Sequence, residues 1–415
     1  MSAPDPILAS AIAALRESRR EDAKRLALQC WQQSAQPRAA AILALLESEA
    51  GRLDEAFAWN ERASARSPGD PAIETQGARL LVLRGDLGAA CDRFASVLRR
   101  VPQAGKPWVD FAQAALACGR ASDAYAMALA ATRTDRSLAG ALQALFDLLP
   151  CAPLEQQPDA RPEPGDCGLV SVITCSIDDE RYWMMRQSYE RALAGWPHEF
   201  IRIPDAKSLA EGYTRGCAAA RGTTAIFTHD DVEILPADFM YRLRRRLDEC
   251  DILGVAGASR ATGPGWTFAG RPYLHGCVIY PEREGYNVTV YSQVAPLAAG
   301  MRLMDGVFLA MPREVALAVG WDAVTCNGFH GYDVDFTLRA AQRGFRLAVA
   351  CDLGVVHRSW GKFDEAWRAA AMRLMERHPE LRGERGRETG CLSRVVPDAP
   401  SAVALIDRWA LAGQS

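Results

Sequence analysis

The chain lacks the features that direct a protein into or across a membrane. No stretch approaches the roughly 18 consecutive apolar residues that a membrane-spanning helix requires. The first twenty residues carry Asp5 and place no basic region ahead of their short apolar stretch, unlike a signal peptide. We therefore expect no transmembrane segment and a cytoplasmic location.

Paired cysteines and a strong excess of one charge are also missing. The twelve cysteines include no C-x-x-C pair, which argues against a zinc knuckle, an iron–sulfur cluster and a dithiol redox motif. The formal net charge is only −3, and the basic residues are interspersed with acids. Because nucleic-acid binding requires a basic surface, we expect no nucleic-acid partner.

The chain does contain enough apolar sequence for two domains. Its 415 residues are 49% hydrophobic and 24% charged, which is too long for one ordinary domain and too apolar for disorder. We assign a helical domain to residues 1–150, a proline-rich linker to 151–167 and an α/β domain to 168–380. Residues 381–415 are expected to form a C-terminal extension with a short helix over 402–411.

A 34-residue interval organises the first domain. GRLDEA begins at Gly51, GDLGAA at Gly85 and GRASDA at Gly119. Pro68 and Pro102 repeat at the same interval, after the predicted second helix of each unit, where proline can end a helix. A fixed period of this length predicts a helix-turn-helix repeat. An arbitrary helical bundle is the alternative interpretation.

These repeats resemble the tetratricopeptide (TPR) family over about residues 5–150, with residues 6–35 as an off-phase cap. The residues at that motif's expected positions in the third repeat are Trp108, Ala112, Ala124 and Ala131. The resemblance implies an α-solenoid. Its concave groove suits an extended peptide or helix of a protein partner, or mediates self-association.

From Gly168 onward, short strands alternate with helices. The runs GLVSVITCS, EFIRI, TTAIFTHDD and DILGVAGAS predict buried parallel strands. Helices are predicted over 180–193, 208–220 and 237–250. This alternation predicts a doubly wound α/β sheet, in which ligands bind beyond the carboxyl ends of the strands.

Several acids follow these strands or open helices. His229, Asp230 and Asp231 come directly after an apolar strand, where two carboxylates could hold a hard divalent cation. The alternative is that these acids cap the next helix or lie in a solvated loop. Asp333 opens an amphipathic helix over 334–343, where its carboxylate would stay ionised and could accept a proton. Helix capping is the competing role for Asp333.

Residues 170–363 resemble the GT-A glycosyltransferases of family 2, and more closely a bacterial branch linked to surface-polysaccharide synthesis. The segments that carry the resemblance are TTAIFTHDD, MDGVFLAMPREV, GFHGYDVDF and GVVHRSWG. The resemblance implies inverting transfer of a sugar, such as a hexose, from a nucleotide diphosphate sugar to a protein or glycan acceptor. It also implies a divalent metal cofactor, Mn²⁺ or Mg²⁺.

The resemblance also assigns roles to single residues. Asp333 would be the catalytic base. The metal ligands would be Asp231, His229 and His357. The positions that match the family's nucleotide and donor site are Ser176, Asp178, Asp205 and Asp230.

Other roles are suggested by the residues themselves. Asp305 and Gly306 could contact the hydroxyls of the donor sugar, or form an ordinary turn. Asp335 could bind the acceptor or be structural, and Arg358 or Lys362 could pair with the diphosphate. His330 lies in a loop that could flex over the donor. The tryptophans that could stack on sugars, or lie in the core, are Trp266, Trp321 and Trp360. Of these, we assign Trp321 to the acceptor.

Two departures from the family pattern keep a second hypothesis open. Tyr332 stands where the family has the first acid of its base motif, and the metal motif reads HDD. A TPR scaffold with a catalytically inactive GT-A domain is therefore the alternative. A nucleotidyltransferase is a weaker third possibility, since TCSIDDERYW after the first strand is acidic and lacks the glycines of a phosphate-binding loop.

Overall fold

The computed structural model describes residues 5–101, 105–120, 143, 146–148, 168–291, 296–359, 361, 363–386 and 391–411. The contacts divide the chain into two compact units, Met1–Leu148 and Leu149–Ser415. Several residues of the sequence analysis lie outside the described residues, namely Pro102, Ala124, Ala131, the linker 151–167, Trp360 and Lys362.

The described part of the first unit is built from consecutive helices. They are α1 (Pro6–Arg16), α2 (Arg20–Ser34), α3 (Pro37–Glu49), α4 (Leu53–Arg66), α5 (Pro71–Arg84), α6 (Leu87–Arg100) and α7 (Gly105–Ala117).

The helix boundaries follow the 34-residue period of the sequence. Pro37, Pro71 and Gly105 begin successive first helices at that interval. Gly85 ends α5 in the left-handed conformation, with φ +90°, which glycine adopts without strain. Buried alanines such as Ala40 and Ala63 let neighbouring helices approach closely. The predicted TPR-like α-solenoid is confirmed.

The second unit alternates strands and helices. Its strands are β1 (Val170–Cys175), β2 (His198–Ile203), β3 (Thr224–Thr228), β4 (Val232–Ile234), β5 (Ile252–Gly254), β6 (Ala256–Ala258), β7 (Leu274–Glu282), β8 (Gly285–Val290), β9 (Leu297–Ala299), β10 (Leu303–Met304), β11 (Phe308–Pro312), β12 (Leu347–Ala350), β13 (Val355–His357) and β14 (Leu392–Val396). Its helices are α8 (Asp179–Ala192), α9 (Leu209–Ala219), α10 (Phe239–Leu247), α11 (Arg313–Val319), α12 (Tyr332–Gln342), α13 (Glu365–Arg377) and α14 (Ala399–Leu411), with 3₁₀ turns at Trp266–Ala269 and Pro379–Arg382.

The main sheet is mixed, in the order β2-β1-β3-β11-β5-β12-β9. Strands β1, β2 and β3 are parallel as predicted, but β11 runs antiparallel between β3 and β5. The predicted strand DILGVAGAS is split, since β5 joins this sheet and β6 pairs antiparallel with β7 in a second one. The result is the mixed α/β architecture of the GT-A fold.

The second sheet has the strand order β10-β6-β7-β13-β4, and β8 pairs with both β7 and β14. Because β14 adds an antiparallel edge to β8, the described part of the C-terminal segment is integral to this unit. Helix α14 buries Leu405 and Trp409, and its Asp407 forms an ion pair with Arg242 of α10. The short helix expected over 402–411 lies within α14. Among the described helices, none is long and apolar enough to cross a bilayer.

Candidate active site

Two strand pairings bring distant residues together at one edge of the sheets. β4 follows directly after Asp231 and pairs antiparallel with β13, with Val232 opposite His357. On the other side of β3, the backbone N–H of His229 donates to the carbonyl of Val307, the residue directly before β11. The exit of β3 therefore lies between the end of β13 and the turn that precedes β11.

Three side chains at this edge have the arrangement of a metal site. His229, Asp231 and His357 each offer one ligand atom, and these atoms lie within 4.8 Å of one another. His357 Nε2 is 3.5 Å from Asp231 Oδ1 and 3.4 Å from His229 Nδ1. Two imidazoles and one carboxylate are a donor set that divalent first-row metals accept. The residues therefore fit a divalent cation.

Burial and the charges within this triad shift the pKa values of its three groups. Burial opposes ionisation of Asp231, but the neighbouring His357 imidazole holds the pKa of this carboxyl well below its usual range. The pKa of His357 is raised by Asp231 in spite of burial. Burial and the proximity of His357 lower the pKa of His229, which is therefore neutral and available as a ligand.

Asp333 lies at the start of α12, next to the turn formed by Asp305 and Gly306. Its Oδ2 accepts a hydrogen bond of 3.0 Å from the Gly306 N–H, and its side chain remains partly exposed. Burial of the carboxylate and the nearby charge of Asp305 raise the pKa of Asp333 to about 7, against the stabilising amides of Val334 and Gly306. The expectation that the helix terminus keeps this group strongly ionised is therefore wrong.

The carboxylate of Asp305 is held within the turn. Its Oδ1 accepts from the Val307 N–H at 2.9 Å, and its Oδ2 accepts from the Trp266 indole N–H at 2.8 Å. Trp266 is buried and packs edge-on against Tyr291. Asp305 thus fixes the turn that presents Gly306 to Asp333, and Trp266 belongs to the core.

The predicted nucleoside residues lie at the exits of β1 and β2. Ser176 is buried, and its hydroxyl donates to the backbone carbonyl of Asp178. The side-chain carboxylate of Asp178 caps α8 by accepting from the Arg181 N–H. Asp205 is exposed and forms an ion pair with Arg215 of α9. The pairing of β1 with β2 brings these two exits side by side.

A cleft of about 220 Å³ opens beside the triad and is lined by Asp230 and Asp231. Its other wall includes Arg181 and Arg191 of α8 together with Arg358, which pairs with Glu233. The two α8 arginines are not among the predicted site residues. Their spacing with Met184 and Ser188 places all four on one helical face, and this signal was available in the sequence.

Two predicted acceptor residues are buried instead. Asp335 is 0% exposed, and its carboxylate accepts from His378 at 2.8 Å and from Arg339 at 2.7 Å. Trp321 is 9% exposed and stacks on Phe336 with ring centroids 3.9 Å apart. This packing favours the structural alternative for both residues. Neither has a free face for an acceptor, because α12 and its neighbours cover them.

His330 lies in the loop before α12, with its Nε2 3.7 Å from Asp364 Oδ1 at the start of α13.

The mixed sheet, the acidic β3 exit and the carboxylate at the start of α12 together define a GT-A-type transferase domain.

Comparison with known proteins specifies the family. The model of a glycosyltransferase-like family matches residues 171–378, which is half of the chain. The chain therefore belongs to this glycosyltransferase-like family, and it is a glycosyltransferase with an N-terminal helical-repeat unit. A search of curated proteins returned no match.

Several solved structures show weaker similarity. YrrB, a TPR protein with an unusual peptide-binding site, is 16% identical with a TM-score of 0.29, covering 33% of this chain and 72% of its own. A mutant O-GlcNAc transferase of Thermobaculum terrenum is 17% identical with a TM-score of 0.29, covering 50% of this chain and 39% of its own. PilF of Pseudomonas aeruginosa is 16% identical with a TM-score of 0.30, covering 34% of this chain and 67% of its own. At these TM-scores the similarities carry no argument.

Proposed function

We propose that the chain transfers a sugar, such as a hexose, from a nucleotide diphosphate donor to a hydroxyl group, with inversion at the anomeric carbon. The observation that carries the proposal is the triad His229, Asp231 and His357 at the exit of β3, which a hydrogen bond from His229 connects to Tyr332, the residue next to Asp333. Residues that are far apart in sequence supply a base and a cation site to a common region, as a single-displacement transfer requires.

In this mechanism Asp333 is the catalytic base. A carboxyl with a pKa of about 7 can remove a proton near neutral pH. The acceptor oxygen then forms a bond to the anomeric carbon while the bond from that carbon to the diphosphate oxygen breaks. The hydroxyl proton goes to Asp333, and the electron pair leaves with the diphosphate.

The proposed metal ligands are His229, Asp231 and His357, with Asp230 beside them facing the cleft. When bound, the cation supplies positive charge that offsets the charge of the departing diphosphate. Two imidazole ligands favour Mn²⁺ over Mg²⁺, because Mg²⁺ prefers a shell of oxygen atoms.

The remaining site residues are proposed to hold the donor. Ser176, Asp178 and Asp205 at the neighbouring strand exits would contact the nucleoside. Arg181 and Arg358 line the cleft next to the acids, where guanidinium groups would pair with phosphate oxygens.

The helical-repeat unit is proposed to recruit the protein or glycan acceptor or another protein, or to mediate self-association. Solenoids of this kind stack helix pairs so that a continuous surface is available to an extended peptide or a helix. The cytoplasmic location and a role in glycan assembly or protein glycosylation remain predictions.

A thermal-shift screen of nucleotide diphosphate sugars, with and without Mn²⁺, tests the proposal. The matching donor with Mn²⁺ should raise the melting temperature, since a ligand at 100 times its Kd stabilises by about 2.7 kcal/mol. Donor hydrolysis should then be measured for the wild type, for Asp333→Asn and for a control, Asp248→Asn. Asp248 is an exposed acid that follows α10 at the amino end of β5, away from the strand exits.

The outcomes separate the two hypotheses. Hydrolysis that Asp333→Asn abolishes and Asp248→Asn preserves supports the transferase. A wild type that hydrolyses or transfers no better than Asp333→Asn supports the scaffold with an inactive domain.

A further inference from the structure

We propose that Tyr332 is a positioning residue of the metal site, whose hydroxyl fixes the His229 imidazole so that Nδ1 faces His357 and Asp231. This inference rests on the metal site of the proposed function. It assigns a role to a residue that departs from the family pattern and that the transfer mechanism does not use.

The two nitrogens of His229 face different partners. Nε2 lies 2.7 Å from the Tyr332 hydroxyl, and Nδ1 lies 3.4 Å from His357 Nε2. Since the hydroxyl occupies the Nε2 side, Nδ1 is the nitrogen that the ring offers to the triad. The hydrogen bond therefore determines which atom of His229 can be a ligand.

The same contact selects the tautomer of His229. A nitrogen that binds a cation must have its lone pair free, so the ring proton must be on Nε2. The Nε2–H then donates to the phenol oxygen of Tyr332. An outer partner of this kind orients a ligating histidine and makes the ring a better donor.

Tyr332 is itself held in place by its surroundings. The ring is buried between Tyr213 and Trp321, with centroid distances of 5.6 Å and 6.0 Å. A Cβ at Gly306 would lie 2.1 Å from the Tyr332 hydroxyl oxygen, so only glycine leaves room for the phenol there. The buried Trp321 thus contributes to the site as a wall of the Tyr332 pocket.

This contact links the two departures from the family pattern. The histidine at the head of the HDD motif and the tyrosine in place of an acid touch each other across the site. A neutral donor–acceptor pair of this kind needs both residues together. The two departures that favoured an inactive domain, His229 and Tyr332, therefore act together to support a histidine ligand.

Isothermal titration of Mn²⁺ into the full chain tests the role of Tyr332. Tyr332→Phe removes the hydroxyl and keeps the ring, and we expect Mn²⁺ affinity to fall about 10- to 100-fold. Tyr182→Phe is the matched control. It removes the hydroxyl of another buried tyrosine, whose ring packs against Trp183 and Arg202 and not against the triad or Tyr332. Its Mn²⁺ affinity should equal that of the wild type.

Each result supports or overturns the inference. Equal affinity in Tyr332→Phe and wild type overturns the role of Tyr332 and leaves the proposed metal site intact. Equal losses in both variants also overturn it, since the effect would be that of any buried hydroxyl. A wild type that binds no Mn²⁺ overturns the metal site and the inference with it.

A second measurement observes the His229 ring of the wild type directly. In ¹⁵N-histidine spectra of the wild type loaded with Zn²⁺, a diamagnetic probe, His229 should carry its proton on Nε2 and bind through Nδ1. The signal is assigned by its loss in His229→Gln. Binding of His229 through Nε2 would overturn the inference, because that nitrogen would then be unavailable to Tyr332.

Discussion

The helical-repeat unit and the transferase unit are specified by contacts of different range. In the repeats, polar contacts link elements close in sequence, as Arg93 of α6 does with Glu74 of α5 at 2.9 Å. At the active site, His229 and His357 are 128 positions apart in sequence and meet only because β4 pairs with β13. We therefore expect substitutions in the repeats to change stability in small steps, whereas substitutions at the site should cause large losses of activity.

The largest expected effect is that of Asp333→Asn on the rate of transfer. The amide keeps an oxygen for the Gly306 N–H but cannot accept a proton, so kcat should fall about 10²- to 10⁴-fold with little change in KM for the donor. Steady-state kinetics with the donor found in the thermal-shift screen give both constants. A kcat within a factor of two of the wild type would show that Asp333 is not the base.

A second prediction concerns the pH dependence of the wild type. Burial and Asp305 raise the pKa of Asp333 to about 7, so the base is protonated at lower pH. Activity should therefore rise about tenfold for each pH unit below 7 and level off above it. The measurement is kcat/KM from pH 5 to 9.

The control for this profile is Asp305→Asn, which removes the neighbouring charge and keeps the oxygen that the Val307 N–H needs. The rise of kcat/KM with pH should shift to more acidic pH, because a neutral neighbour no longer opposes ionisation of Asp333. A rise that stays at the same pH would mean that another group titrates there.

The sequence predicts the helical-repeat unit better than the transferase unit. The first depends on contacts between residues close in sequence, and the second on contacts between distant ones. The repeats have a period, and glycines such as Gly85 mark turns through local backbone geometry, so helix positions follow from nearby residues. The antiparallel insertion of β11 depends on a pairing with β3 across about eighty residues, which no local pattern reveals. For Asp335 and Trp321 the sequence left a structural and an acceptor role open, because neither the partners His378 and Arg339 nor the stacking on Phe336 can be read from the short motifs that contain them.

The resemblance to a known family supplied what local patterns could not. It pointed to His229, Asp231 and His357 together, and the strand pairings bring them within reach of a common ion. It did not anticipate the raised pKa of Asp333, because that shift comes from burial and from Asp305, a residue in a different segment. Nor did it assign a purpose to Tyr332, whose partner is a second departure in another motif.

A smaller effect is expected from Asn60→Ala in the repeat unit. The buried Asn60 amide donates from α4 to the Ile73 carbonyl at 3.0 Å and to Gln76 Oε1 at 3.1 Å, both in α5. Removing it should destabilise this unit by about 1–3 kcal/mol, measured by urea unfolding. The neighbouring exposed Glu61→Ala should cost much less. Donor hydrolysis should be unchanged in both, and a loss in Asn60→Ala would show that the two units are coupled.

The smallest effect should come from one helix cap. Asp70 directly precedes α5, and its carboxylate accepts from the N–H groups of Ala72 and Ile73 at 2.9 Å and 3.3 Å. Asp86 holds the same position before α6 but makes no side-chain cap hydrogen bond, pairing instead with exposed Arg84. Asp70→Ala should therefore cost about 1 kcal/mol, and Asp86→Ala roughly half of that or less. Because both residues are aspartates directly before the first residue of a helix, equal costs would mean that charge near the helix terminus matters here and the cap hydrogen bonds do not.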